Sequence, residues 1–495
     1  MTGQEYSDLA AACDRLLRAP GTSLARLAVP ALHFLNEHPS SLAQYASVRS
    51  GRVANRFSQG PRAMLRMARG LMRSLTTRRS PPHLGAAIDV VIVSHLLKPQ
   101  QLLQEQDFYF GALQSQLQAQ GASSLLVLIN HLPGARNNCD TRTFDSPRML
   151  LPETVAPATE VNIWRQCVSA WRTLRRAAVG ATTTAERRLA LLASRQVLST
   201  PAVVNLRMHD AIAELCQAVN PQIVITTYEG TVAERLIWHA ARTARRRPLC
   251  VGYQHALVLE RAHAIRRSVG TPGIDCDPDV ILTLGTFSHA ALAASAGLHS
   301  LRFIEYGSHR RASLPVLPHP RDRPRRCLVL PDASDQEGAI LFEFALRCAR
   351  HSPDIRFVLR PHPMVDPHAL LRRHPLLQQL PANAVLSLDK PLEQEFAQAR
   401  YCLYRGSSAA LYAARAGIKP YYLARPDELP IDCLFGLTDW RETVTSPQDL
   451  ADRIGVADTF TDLAAAGRAA NSCDRYVAPV RPAALGELLA LLPSC

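Results

Sequence analysis

Long apolar runs are missing from this 495-residue sequence: nowhere do the ~20 uninterrupted hydrophobic residues of a membrane-spanning helix occur. The N-terminus, MTGQEYSDLAAACDRLL, has neither a basic start nor an apolar signal core, and the expectation is a cytoplasmic protein. Paired cysteines are missing too. The twelve cysteines are scattered singly, without a Cys-x-x-Cys pair or a Cys/His cluster at zinc spacing. That argues against a disulfide framework or a structural zinc site and leaves reduced core thiols. Acidic residues are outnumbered by basic ones, 42 to 56, for a net charge of +14. A positive field attracts nucleic acid, anionic lipid and phosphorylated substrates alike, but no helix-turn-helix, RNA-binding aromatic motif or zinc finger accompanies the charge. A non-enzymatic nucleic-acid- or membrane-binding protein remains the rival class, with no nucleic-acid partner expected.

What is present is a globular composition, 47% hydrophobic and 20% charged, at a length that calls for two domains or two plus an extension. Residues 1–80 read as a helical, basic extension. Between Arg49 and Arg79 stand nine arginines and no acid. Arg62, Arg66, Arg69 and Arg73 fall at helical spacing, with Met64, Ala68, Leu71 and Leu75, beside Leu65 and Met72, on the other side. Such a helix suits the headgroup region of an anionic membrane, or else packs against its own domain.

After Ser80-Pro81-Pro82 the pattern alternates. Strands are expected at 88–93, 124–129, 222–226, 249–253, 280–284 and 302–304, with helices at 108–120, 160–218 and 232–244. Residues 81–310 thus read as a Rossmann-like domain with a helical insertion at about 160–218. The Pro- and Arg-rich stretch 311–326 reads as a linker. A second series follows over 327–495: strands at 327–330, 356–359, 384–386, 401–404 and 420–423, with helices between. The fold class is α/β, two facing Rossmann-like domains whose ligands would lie beyond the carboxyl ends of the strands.

Two strand ends stand out. Arg360-Pro361-His362-Pro363 follows Phe357-Val358-Leu359, and its prolines make a stiff turn that presents an arginine and a histidine. Arg405-Gly406-Ser407-Ser408 follows Cys402-Leu403-Tyr404 and precedes a helix, a suitable cradle for a phosphate or plain N-capping by serine. Glu337-Gly338, after Leu330-Pro331-Asp332, either touches a ribose or starts a helix.

These residues resemble bacterial glycosyltransferases of the two-Rossmann-domain (GT-B) type that build capsule and lipopolysaccharide. Sialyl-, polysialyl- and Kdo-transferases of that group, and related polyglycerolphosphate transferases, share an HP motif, here His362-Pro363, and a later Ser-Ser/Thr motif, here Ser407-Ser408. Gly417, three residues before Pro420, fits the group's Gly-x-x-Pro. Segments at Ser94-His95-Leu96, Asp107–Gly111 and Tyr253-Gln254-His255 are similar to surface-carbohydrate biosynthesis proteins of the same broad set.

The resemblance implies a nucleotide-sugar donor, of CMP type with a Kdo or sialic-acid-like sugar, held by His362, Pro363, Ser407 and Ser408; the strand-end reading adds Arg360 and Gly406 to them, and Glu337 if it touches the ribose. It implies a glycan or glycolipid acceptor and no cofactor beyond the donor itself. From the residues alone, not the resemblance, the expected place of work is the cytoplasm, with residues 49–79 as a contact with the anionic inner-membrane surface if their helix does not pack on its own domain. Polyol-phosphate transfer and sugar-nucleotide epimerisation are alternatives on the same fold.

The base is sought in the first domain. Tyr228-Glu229-Gly230 resembles the acidic-x-Gly motif of some bacterial sialyltransferases, with Tyr228 in place of one acid. Glu229 is therefore one candidate base, His255 the other, and His95 borders the acceptor side. Glu234 is read as a surface partner of Arg235 or Arg242. Asp275-Cys276-Asp277 has metal-binding DxD spacing but precedes a strand, away from the expected cleft, so metal-independent transfer is expected.

Overall fold

The computed structural model describes residues 1–19, 23–33, 35–49, 59–76, 88–132, 146–267, 276–310, 317–459 and 463–492. Two all-parallel sheets carry it. The first has the order β3-β2-β1-β4-β5-β6-β7, with β1 Val90–Leu96, β2 Ser124–Asn130, β3 Arg148–Leu150, β4 Ile223–Thr227, β5 Leu249–Tyr253, β6 Val280–Thr283 and β7 Arg302–Glu305. The second has the order β10-β9-β8-β11-β12-β13, with β8 Arg326–Pro331, β9 Arg356–Leu359, β10 Ala384–Leu386, β11 Tyr401–Arg405, β12 Lys419–Leu423 and β13 Glu442–Val444. This is the α/β, two-domain GT-B arrangement expected from the sequence.

The apolar runs are continuous because both faces of each sheet are covered. Val91 and Val93 join one core with Leu125, Val127 and Val224. Val90 and Ile92 join the other with Leu126, Leu128 and Ile225. The period of two sends neighbouring residues to opposite layers. All ten described cysteines are buried and unpaired.

The residues expected to be helical over 160–218 form three helices, Pro157–Gly180, Thr184–Gln196 and Thr200–Val219, because Thr183 and Ser199 start new N-caps and Pro201 sits in the first turn of the last. Three expectations are corrected. The helix expected from Phe108 begins at Leu113: the Asp107 carboxylate accepts from Tyr109 N and Phe110 N, both at 2.8 Å, and Gly111 turns the chain at φ +55.

Residues 1–49 do not stand apart as an extension. Helix Gly3–Arg18 packs on helix Thr184–Gln196, and Leu16, Leu32 and Tyr45 belong to the first domain's core. The tail, read as part of the second domain, returns to the first: Ala478 N donates to Leu284 O at 2.8 Å and Arg481 N to Tyr306 O at 2.8 Å.

Of the linker, 311–316 lie outside the described residues, and the rest is pinned. Buried Arg323 donates to the carbonyls of Pro318, Ala399 and Ala416.

Candidate functional site

In an open parallel sheet the crevice for a ligand opens where the strand order reverses. In the first sheet that point lies between β1 and β4, and in the second between β8 and β11. Leu97 after β1, Glu229 after β4, Asp332–Ser334 after β8 and Gly406–Ser408 after β11 all line one cleft of about 860 Å³.

On the first wall Glu229 Oε1 lies 2.8 Å from His255 Nε2, the carboxylate 39% exposed to the cleft and the imidazole nearly buried. The turn that carries Glu229 is held from below. Buried Glu234 accepts from the backbone N–H of Glu229, Gly230 and Thr231 at 2.8–3.0 Å and from the Thr227 hydroxyl at 2.8 Å. This corrects the surface pairing expected for Glu234. Gly230 has φ +81, and a Cβ there would lie 2.2 Å from Ala264 O, so glycine is required.

Burial opposes charge on Glu229, but the hydrogen bond from His255 and the nearby His255, His95 and Arg310 outweigh it and hold the carboxyl below its ordinary range. Burial and the Glu229 charge raise Glu234 to about 7. The Tyr109 ring meets His255 edge-on at 4.7 Å. Arg310 lies 4.0 Å over the Phe108 ring and donates to Phe108 O at 2.8 and 3.0 Å, bringing a guanidinium to the cleft.

His95 sits behind Tyr109, at 5.7 Å between rings, with its Nδ1 2.9 Å from His131 Nε2. It does not line the cleft. Burial, helped by His131, lowers its pKa to about 4, so it is neutral near pH 7.

The second wall presents hydroxyls and backbone. Gly406 turns the chain at φ +69. Ser408 occupies the N-cap of helix Ala409–Arg415 without a side-chain capping bond, so its hydroxyl is not consumed by the helix start. His362 lines the cleft. Its Nδ1 accepts from Met364 N at 3.2 Å, which orients the ring, and burial lowers its pKa. Asp332 accepts from Ser334 N at 2.7 Å and pairs with His38 of the N-terminal segment.

Three residues expected to hold nucleotide do not reach this wall. Arg360 is at the strand end, but its guanidinium donates to Lys390 O, and Pro363 faces elsewhere while Met364 lines the cleft. Glu337 is buried in an ion pair with Arg405, at 2.5 Å, and Arg405 also binds Glu428. The first turn of helix Asp335–His351 directs Glu337 inward, to neutralise an arginine that would otherwise be buried alone. Asp277 is engaged by Arg267 at 2.9 Å and Arg235 at 3.7 Å, at the amino end of β6; Asp275 lies outside the described residues.

The cleft also contains residues that sequence reasoning missed. Asn36, His38 and Ser41 arrive with the N-terminal helices, and Arg310 and Tyr412 from loop and helix. No local signal marks these. Asp332 and Ser334 directly follow a strand at the switch point, and the positional rule applied to β9 and β11 would have found them.

No family model matches the sequence, and no curated protein does. Solved structures with a similar arrangement include a UDP-GlcNAc 2-epimerase from Neisseria meningitidis bound to UDP-GlcNAc, at 12% identity and TM-score 0.47 over 81% of this chain and 100% of that one. The glycosyltransferase SnogD from Streptomyces nogalater is 15% identical, with TM-score 0.43 over 82% and 100% of the two chains. MurG from Acinetobacter baumannii is 12% identical, with TM-score 0.42 over 81% and 99%. At these values the fold rests on the sheet orders above, and the chemistry on the residues of the cleft.

Proposed function

We propose that this chain is a glycosyltransferase that moves a sugar from a nucleotide donor to a hydroxyl of a glycan or glycolipid acceptor. One observation carries the reading: a carboxylate–imidazole pair, Glu229 with His255, stands on one wall of a cleft whose opposite wall is the Ser407-Ser408 turn with His362. The cleft falls within the size of nucleotide-sugar and cofactor sites.

Glu229 takes the proton of the acceptor hydroxyl and becomes neutral, and His255 holds the carboxyl group in place. The acceptor oxygen bonds to the anomeric carbon as that carbon's bond to the donor phosphate breaks, and the electron pair leaves on the nucleotide. Backbone N–H groups and hydroxyls at Ser407 and Ser408, with His362, receive that charge as preset donors. Arg310 adds a positive charge on the acceptor side. The step uses no metal. The HP and Ser-Ser resemblance favours a CMP-linked sugar of the Kdo or sialic-acid kind.

A thermal-shift screen of wild type and His362→Ala against CMP, CDP, UDP, GDP and their sugar conjugates tests the donor wall, since a ligand bound only by the native state raises its melting temperature. Selective stabilisation by cytidine nucleotides, lost in the variant, is expected, with transfer surviving excess EDTA. Stabilisation by uridine nucleotides alone would replace the donor class. Release of an epimerised donor without any acceptor would assign the cleft to epimerisation instead.

A further inference from the structure

The helix Gln59–Thr76 buries its small side. Ala63, Gly70 and Ser74 face inward, where the helix packs on Pro157–Gly180. A Cβ on Gly70 would lie 2.2 Å from Glu160 Oε1 and 2.4 Å from Arg207 Nη2, so the backbone runs directly over that ion pair.

With the small stripe inside, the large apolar side chains point out: Met64, Leu65, Met72 and Leu75 are 68, 51, 62 and 64% exposed. Arg69 and Arg73 are exposed along their flank, and Arg66 is half-buried with its Nη1 on Leu198 O at 2.8 Å. Beside this row runs a groove of about 510 Å³, lined by Arg66, Arg69, Arg73 and Arg207 with Met72 and Val203. The adjoining helix Pro157–Gly180 adds exposed Trp171, Arg172, Arg175 and Arg176. Its one acid, Glu160, is buried against Arg207 at 2.5 Å, and helix Gln59–Thr76 has none.

We propose that this face docks on an anionic lipid bilayer, with helix Gln59–Thr76 lying in the headgroup plane. Met64, Leu65, Met72 and Leu75 enter the acyl boundary while the arginines bind phosphate groups. The sequence left two readings of this helix, and the outward turn of its large residues favours the membrane one. Charge complementarity selects lipid of negative charge: the exposed cations of both helices meet no exposed acid on either. The apolar row selects a bilayer over a nucleic acid, whose phosphate backbone offers nothing for methionine and leucine to enter. Among the described residues no single helix is long and apolar enough to cross a membrane, so the contact is one of lying on the surface.

Flotation of the full chain tests the proposal, with vesicles of phosphatidylcholine alone or mixed with phosphatidylglycerol. Wild type floats only with the mixed vesicles, and less at high salt. Arg69→Gln with Arg73→Gln weakens binding about fivefold per arginine. Met64→Ser, Leu65→Ser, Met72→Ser and Leu75→Ser together abolish it. All variants keep the wild-type melting temperature, because the altered side chains are exposed. Failure of wild type to float with either vesicle, or flotation of the variants equal to wild type, overturns the proposal. So does binding to an RNA or duplex DNA oligonucleotide without flotation, which would assign the arginines to nucleic acid. Nucleotide-induced thermal shifts do not depend on this face, so the two proposals fail separately.

Discussion

The two walls of the cleft are made by one device, the loops beyond neighbouring strands at a switch point, yet they carry different chemistry. On the first wall ionisable groups are paired and one of them is open to the cleft: partly exposed Glu229 meets His255, and buried Glu234 clamps the turn beneath. On the second wall the ion pair of Arg405 with Glu337 is withdrawn from the surface, and the turn of buried Ser407 and exposed Ser408 lines the cleft. A proton acceptor needs neighbours that set its protonation state. A departing phosphate brings its own charge and needs fixed donors. Topology decides where each wall stands, and the loop residues decide what it does.

Removing the acceptor-side carboxylate is the most severe way to break this comparison. Glu229→Gln is expected to slow transfer roughly 10²–10⁴-fold while leaving donor-induced thermal shifts unchanged. Equal loss of both would show that the walls do not divide the labour.

Next in size is the pair of left-handed glycines. Gly230→Ala drives a Cβ against Ala264 O and is expected to cost about 2–3 kcal/mol in urea denaturation. At Gly406 the nearest atom is the Ile431 Cδ1 at 3.2 Å, a movable side chain, so Gly406→Ala is expected to cost only the backbone strain, about 1–2 kcal/mol.

A smaller effect follows from Glu234. Its folded pKa, about 7, lies above the ordinary 4.5, so the folded state keeps a proton that the unfolded chain has released. Its contribution is full below pH 4.5 and lost as pH rises through 7. Wild type should therefore lose stability relative to Glu234→Gln across that window. Glu229, held below its ordinary range, contributes with the opposite sign and is lost on acidification. A parallel pH course for the two proteins would reject the assignment.

Smallest of all, Arg360→Ala should leave donor affinity unaltered and stability within about 0.5 kcal/mol, because its guanidinium is spent on Lys390 O. A large loss of affinity would return Arg360 to the donor wall.

The sequence by itself determined the two α/β halves, since buried parallel strands such as Leu249–Tyr253 and Arg356–Leu359 are apolar along their length or flanked by clear turn residues. It also marked the strand ends where Glu229, His255, His362 and Ser407-Ser408 stand, because a ligand crevice must open there. The edge strands Arg148–Leu150 and Glu442–Val444 escaped notice, being short and partly exposed, with no apolar run to announce them.

Only the tertiary structure decided which side of each turn faces the cleft. Neighbouring residues on one motif separated, His362 inward and Arg360 to Lys390, because a turn's direction is set by what packs around it. It decided that Glu337 neutralises Arg405, that Glu234 clamps Glu229, and that the N-terminal segment brings His38 to Asp332. Helical periodicity in Gln59–Thr76 specified two faces, but which one was buried depended on the close approach that only its small residues allow.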